Sequence, residues 1–241
     1  MIDFHCHIIP GIDDGAQTLD ESIRIARQSV ENGITEVIAT PHGSSADLAV
    51  QLAKRDIGMA ELQEELRRQD IPLTLIPGLE YNADGHSNTA ALETPGCRCG
   101  TSPNAPLLVE LPFTLDISFA ANILFRAQIK GVTLVLAHPE RYHGFVKNEA
   151  MFIDLLDKGI YLQFNAPSFK SSFFFRAIPK AMLRLIAHAP ENVLIGSDAH
   201  NPDVRPGGFG NASRVVCDSL GEEVWRKMTD ETPRRLLGLN V

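Results

Sequence analysis

The chain has 241 residues, 44% of them hydrophobic and 22% charged, with 18 glycines and 15 prolines, which excludes a low-complexity or disordered polypeptide and leaves ample material for a buried core. Its formal charge of −8 argues against broad contact with nucleic acid, which requires lysines and arginines to displace condensed counterions. Apolar runs all fall short of the roughly 18 residues of a membrane span, and an acidic residue stands where a signal peptide would be basic, so a cytoplasmic protein without membrane insertion is expected.

Along the chain, short β-rich runs alternate with longer amphipathic segments, the pattern of a parallel sheet with crossover helices. The first run is IDFHCHI. Successive strand side chains point to opposite faces, so His5 and His7 share one side and Cys6 takes the other, packing as a small hydrophobe against the helices. The segment TLDESIRIARQSVENG follows as a helix, with Thr18 and Glu21 as a capping box, an apolar side through Ile23, Ala26 and Val30, and Gly33 at its end.

The next strand is TEVIAT, followed by a helix from about Leu48 to Arg68 and the strand LTLIPGLEY. From Asn82 to Ala105 the composition shifts to Gly, Asn, Thr, Pro and Cys, which predicts an irregular surface loop. Then come PLLVELP, a helix over Ser118 to Lys130, VTLVLAH, a helix over Glu149 to Lys158, IYLQFNA, a helix over Arg176 to Ala189, NVLIGSDAH, and a helix over Ser213 to Met228. Seven strands without an internal repeat or a dividing linker predict an α/β fold in one domain spanning 1–241, built as a closed or nearly closed barrel. The four cysteines, Cys6, Cys97, Cys99 and Cys217, lack the dense spacing of a secreted disulfide framework and are expected to be reduced. Cys97 and Cys99 form a CxC with no second pair and are left outside the site.

Barrel enzymes keep their chemistry at the C-terminal ends of the strands. Here the first strand delivers His5 and His7, and its loop brings Asp14. The second ends in TPHG with His42, the third in PGLEY with Glu80, the fourth in VELP with Glu110, the fifth in AHPER with His138, and the seventh in GSDAH with Asp198 and His200. Singly, a strand-end histidine is an ordinary hydrogen-bonded core residue and a glutamate is an ordinary cap. Nine titratable groups buried together would cost more than a domain's net stability of about 5 to 15 kcal/mol unless cations offset the desolvation. The rim is therefore either open and wet or a multinuclear metal centre, and the second is expected. Imidazole and carboxylate without thiolate suit Mn, Fe or Zn better than Mg or Ca. Nine donors are too many for one ion and match three if one carboxylate bridges.

The set DFHCHIIPGIDDGAQTLDES, IATPH, GLE, VELP, LAHPERY, QFNAPS and LIGSDAHN followed by RP resembles the PHP (polymerase and histidinol phosphatase) superfamily. Within it, the chain is similar to the bacterial manganese-dependent protein-tyrosine phosphatases of capsule and exopolysaccharide gene clusters. The resemblance covers nearly the whole chain and implies a distorted, TIM-like (β/α)7 barrel with three manganese ions. It implies that His5, His7, Glu80 and Asp198 hold one ion, that Glu80 bridges to a second held also by Glu110 and His138, and that Asp14, His42 and His200 hold a third. Arg141 in HPER and Arg205 in DVRP match arginines that bind phosphate in that family. The implied partner is a phosphotyrosyl protein, with a bacterial tyrosine kinase among the candidates. Two stretches depart from the family pattern: GSSADLAVQ after TPH, and the run from Asn82 to Ala105.

The expected chemistry is phosphomonoester hydrolysis, in which water shared by two metals becomes a hydroxide aimed in line at phosphorus while the third metal and guanidinium groups stabilise the phosphoryl oxygens. Arg141 and Arg205 suit a clamp on two non-bridging oxygens, their ordinary alternative being solvated loop charges. A tyrosine phenolate, of pKa near 10, leaves with little protonation, whereas an alcohol wants a general acid, for which His200 or a metal-bound water is available. His143 is expected to be exposed, and Asn165 either orients substrate or makes a structural hydrogen bond. Alternatives are a small-molecule phosphatase such as a histidinol-phosphatase, an amidohydrolase (disfavoured because Glu80 and Glu110 stand where that class has a carboxylated lysine), and a non-catalytic regulator that binds a phosphorylated partner.

Overall fold

The computed structural model describes residues 1–83, 91, 94–114, 124–170 and 177–240. All seven expected strand runs are present, and the second and third are each broken in two. In chain order the strands are β1 (Ile2–Cys6), β2 (Glu36–Ala39), β3 (His42–Gly43), β4 (Thr74–Pro77), β5 (Glu80–Asn82), β6 (Leu107–Glu110), β7 (Leu134–Ala137), β8 (Tyr161–Asn165) and β9 (Val193–Gly196). The breaks fall at Thr40-Pro41 and at Gly78-Leu79. Pro41 has no N–H for a ladder, and a Cβ on Gly78 would meet Ile38 Cγ2 at 2.5 Å.

All strand pairings are parallel, in the orders β1-β2-β4 and β3-β5-β6-β7-β8-β9. The last strand returns to the first: Asp198 N–H donates to His5 O at 2.8 Å and His7 N–H to Ala199 O at 2.9 Å. The α/β barrel architecture expected from the sequence is thus present, with its seam between β1 and the segment after β9.

Helix α1 (Leu19–Glu31) starts where Thr18 accepts the Glu21 N–H at 3.2 Å. The Glu21 carboxylate accepts the N–H of Gln17 at 2.6 Å, one residue earlier than in a reciprocal capping box. Helix α2 (Leu48–Arg68) and the helices Glu149–Asp157 and Ala177–His188 lie where expected. Of the helix expected over 118–130, residues 124–129 are helical and 118–123 lie outside the described residues, as does Arg176. The helix expected over 213–228 is two, Ala212–Leu220 and Glu222–Arg226, because Gly221 adopts φ 94° between them. A further helix, Thr232–Leu237, follows a π turn and was not anticipated.

Among the described residues, two hydrophobic clusters form the core. The inner one takes Ile2 and Phe4 from β1, Ile38 from β2, Leu108 from β6, Val135 and Ala137 from β7 and Leu194 from β9, and it is closed by Cys99, Leu236 and Leu237. The outer cluster packs the other faces of the strands against the helices and contains Cys6. The described part of the irregular surface loop expected over 82–105 has one short turn (Pro95–Cys97) and exposes Pro95, Gly96, Thr101, Pro103 and Asn104, but Cys97 and Cys99 are fully buried. Cys99 N–H donates to Pro106 O at 2.8 Å and Gly100 N–H to Pro77 O at 2.7 Å, so this segment joins the end of β4 to the approach of β6. Buried Arg55 holds it by donating to Gly96 O (2.6 Å) and Gly78 O (2.9 Å). Residues 84–90 and 92–93 of that stretch lie outside the described set. Among the described residues no helix is long and apolar enough to cross a membrane.

Candidate metal centre

His5 and His7 reach the barrel mouth through an irregularity in β1. Asp3 pairs with Val37 and Cys6 with Ala39, so β1 spends three residue steps where β2 spends two. Phe4 therefore stays with Ile2 in the inner cluster, and His5, next in sequence, also faces inward. After the extra residue, Cys6 and Ile8 point to the helices and His7 points to the mouth. The Asp3 carboxylate secures the bulge, its Oδ1 accepting the N–H of His5 (3.2 Å) and of Ser197 (2.8 Å). Burial raises the Asp3 pKa to about 6. Glycine at 196 is required beside it, since a Cβ there would lie 2.5 Å from the Cβ of His5.

All nine residues expected at the rim converge. Glu80 is the hub: Oε2 lies 3.3 Å from His5 Nε2, 3.3 Å from His7 Nε2 and 3.0 Å from His42 Nδ1, and Oε1 lies 2.8 Å from His138 Nε2. Asp198 Oδ1 stands 3.6 Å from His5 Nε2 and 3.5 Å from His7 Nε2. Glu110 Oε1 is 3.5 Å from His138 Nε2, and Asp14 Oδ1 is 3.4 and 3.5 Å from the Nε2 atoms of His42 and His200. His138 (φ 30°) and Asp198 (φ 52°) both take left-handed backbone, a cost concentrated at functional positions.

The donor set suits divalent cations on an internal test. Glu80 Oε2 is buried and close to three ring nitrogens, yet no hydrogen bond satisfies it, and His138 Nδ1 is also without one. A buried carboxylate oxygen ringed by imidazole nitrogens without bonding to any of them is placed to share a point between them with a cation. Among the described residues, four overlapping groups have donor atoms all within 4.8 Å of one another: His7, Asp14, His42 and His200; His5, Glu80 and His138; His5, His7 and Asp198; and His42, Glu80 and Glu110. Together they use each of the nine.

Electrostatics separates the protonation states. Burial disfavours charge on His7, but the hydrogen bond to Asp13 and the adjacent carboxylate of Glu80 outweigh it and raise its pKa to about 10. Burial likewise opposes ionised Asp198, and the charges of His5, His7 and Arg205 overcome it, bringing that carboxyl down to about 2. His200 goes the other way, to about 4, through burial and the neighbouring His7. Glu110 is raised by burial and by the charge on Glu80. Without cations, protons on imidazole balance the carboxylates. A bound cation replaces those protons, so acid weakens its binding.

The two arginines sit at the mouth of a cavity of about 260 Å³ whose lining includes Asp14, His42, Glu80, Asn82, Glu110, Phe113, Arg141, Asp198, His200 and Arg205. Arg141 Nη1 lies 3.5 Å from Asp198 Oδ2, and Arg205 Nη2 pairs with the same oxygen. The Arg205 loop is pinned by the Asn201 side chain, which accepts the N–H of Asp203 (3.0 Å) and of Val204 (2.7 Å). His143 is exposed. Asn165 is buried and bonded at both ends, donating to Asp198 Oδ2 at 2.5 Å and accepting from Gln163 at 2.9 Å, which makes it a support for Asp198.

Sequence reasoning missed the residues that orient these side chains. Asp13, beside Asp14, accepts from His7 Nδ1 at 2.8 Å, from His42 N–H at 2.9 Å and from Gly15 N–H at 2.9 Å. Gln163 Oε1 lies 2.8 Å from His5 Nδ1. The doubled aspartate after HxH was the available signal, since a metal-binding histidine usually gives its other N–H to a carboxylate. Replacing Asp13 by alanine is expected to weaken manganese binding about 10- to 100-fold, measured by titrating metal-free protein; unchanged affinity would remove Asp13 from this role.

The chain is 31% identical over 230 residues to the tyrosine-protein phosphatase YwqE of Bacillus subtilis, covering 95% of this chain and 89% of that one. In three dimensions it matches, with a TM-score of 0.85 and 29% identity over 100% of this chain and 96% of the other, a crystal structure from work on YwqE of Bacillus subtilis and CpsB of Streptococcus pneumoniae, described there as metal-dependent tyrosine phosphatases. The Escherichia coli phosphotriesterase homology protein shares the fold at a TM-score of 0.67 and 14% identity, over 97% of both chains. The family model described as capsular polysaccharide synthesis, CpsB/CapC, matches residues 1–238, and the chain belongs to that family.

Proposed function

We propose that the protein is a metal-dependent protein-tyrosine phosphatase. The observation that carries the proposal is the convergence of nine imidazole and carboxylate side chains on one centre, six of which line a cavity together with two guanidinium groups. His5, His7, Glu80 and Asp198 would hold one ion, Glu80, Glu110 and His138 a second, and Asp14, His42 and His200 a third. Manganese is the proposed ion, with iron or zinc as substitutes, since the donors are nitrogen and oxygen and Cys6 faces the helices. When bound, the ions supply Lewis acidity toward the phosphoryl oxygens and a nucleophile at neutral pH.

The chain's own residues bind and orient the substrate. Arg141 and Arg205 both reach Asp198 Oδ2, so an incoming phosphoryl group meets two guanidinium donors aimed at one place. Their N–H groups donate to its non-bridging oxygens and stabilise the charge that develops there. His200, neutral above about pH 4, is suited to offering a lone pair and not a proton. A phenolate leaving group, with reference pKa near 10, departs without a strong general acid, and an aliphatic alcohol does not. That difference favours phosphotyrosine over histidinol phosphate. Phosphotyrosyl proteins of the cytoplasm are the proposed substrates, a bacterial tyrosine kinase among them.

Metal-loaded protein is expected to release phosphate from a phosphotyrosyl peptide with kcat/KM at least about tenfold above that for histidinol phosphate, a difference of about 1.4 kcal/mol in barrier. The reverse order would favour the small-molecule phosphatase. Failure of metal-loaded protein to hydrolyse any aryl phosphate would leave a phospho-partner binder.

A further inference from the structure

The cavity described above has ten lining residues among those the structure describes, and nine of them carry polar or charged side chains. Phe113, three residues beyond β6, is the exception. We infer that Phe113 selects aryl phosphates by giving the substrate's ring an apolar surface, the one such side chain among the described residues that line the mouth, an inference that rests on the phosphatase proposal and names its specificity-determining residue. The phosphoryl group of a monoester is drawn to the charged floor, so its organic substituent must lie against the wall. An alkyl ester gains little from an aromatic wall. An aryl ester packs on it.

The placement of Phe113 is built, not incidental. Its carbonyl accepts the N–H of His143 at 3.0 Å, tying the loop after β6 to the loop after β7 that carries Arg141. The Arg141 guanidinium lies 4.6 Å from the Phe113 ring centroid, a cation–π arrangement. Tyr142 and His138 each bring a ring to 5.7 Å from that of Phe113. The Tyr142 hydroxyl in turn accepts Leu111 N–H at 2.9 Å, fixing the start of the same loop. One unit therefore holds both the aromatic wall and one of the phosphate-directed arginines, so ring and phosphoryl group are gripped in a fixed relation.

The test compares wild type with Phe113→Leu and Phe113→Trp, as full-length manganese-loaded protein, using phenylphosphonate and methylphosphonate as non-hydrolysable ligands in calorimetric titrations. Phe113→Leu is expected to weaken phenylphosphonate about three- to tenfold, the size of one aromatic pair, while methylphosphonate stays within about twofold, and Phe113→Trp is expected to retain the aryl preference. In turnover, the same substitution should lower kcat/KM for phenyl phosphate relative to glycerol phosphate by a similar factor. Equal weakening of both phosphonates would show that the ring acts only through Arg141 and would overturn the inference, as would no change in either. Because binding is read directly, a wild type that binds both phosphonates and hydrolyses neither ester would sink the phosphatase proposal while the binding ratio still decides the role of Phe113.

Discussion

Glu80→Gln is expected to abolish phosphatase activity, by at least about a thousandfold, and to lower the manganese content of purified protein in the same step. The carboxylate touches four imidazoles, those of His5, His7, His42 and His138, at 2.8 to 3.3 Å, and it is almost completely buried. Glutamine has the same shape and can still accept one hydrogen bond, so the fold has no steric reason to change. What it lacks is the charge. His5, His7 and His42 are all held above the ordinary imidazole pKa, with Glu80 among the causes in each case. With that charge gone, the imidazoles lose a shared counter-ion, and cations placed between them lose the one carboxylate common to two of the proposed sites. Metal analysis and turnover on an aryl phosphate check this together. A full metal complement with wild-type turnover would refute the assignment of Glu80, and a full complement without turnover would move its role from holding metal to the reaction itself.

Much of this centre was legible in the sequence because barrel topology carries it. Once strands alternate with helices in parallel, every strand ends on the same rim, and a histidine or carboxylate at six of seven ends must meet its counterparts. The route to His5 and His7 was less direct than alternation suggests. Ile2 and Phe4 set an inner face that would have sent the histidines outward, and only the extra residue before Cys6 turns them to the mouth. A bulge has no composition of its own, and its supports, Asp3 and Gly196, are far apart in the chain.

Other features failed to show for similar reasons. Asp13 and Gln163 act through partners that are visible only in three dimensions. Phe113 looked like one more apolar residue after a strand. Cys97 and Cys99 sit in a stretch whose glycine and proline content reads as surface, yet the segment is fixed by Arg55 and by hydrogen bonds to Pro77 and Pro106. The helix Thr232–Leu237 is only six residues, too short for a periodic signal, although Leu236 and Leu237 close the inner cluster.

The arginines permit a sharper separation of roles. Arg141→Ala is expected to lower kcat/KM for an aryl phosphate about 10- to 100-fold while manganese content holds, because loss of a charge-assisted hydrogen bond costs about 1.5 to 3 kcal/mol. Its guanidinium is 3.5 Å from Asp198 and its side chain is 42% exposed, so the Asp198 carboxylate, a proposed metal ligand, loses little when it is removed. Arg205 is coupled more closely: it pairs directly with Asp198 Oδ2, and its charge is one of the causes that keep that carboxyl near pKa 2. Arg205→Ala should therefore produce a comparable loss in kcat/KM together with weaker manganese binding, the deficit partly restored by added metal. In the double variant the losses should fall short of the sum of the single effects if both guanidinium groups grip one phosphoryl group, since residues acting as a unit are not additive. Additive losses would place the two arginines on different ligands. Loss of metal in Arg141→Ala would make that residue part of the scaffold and leave Arg205 as the remaining phosphate-directed cation of the two.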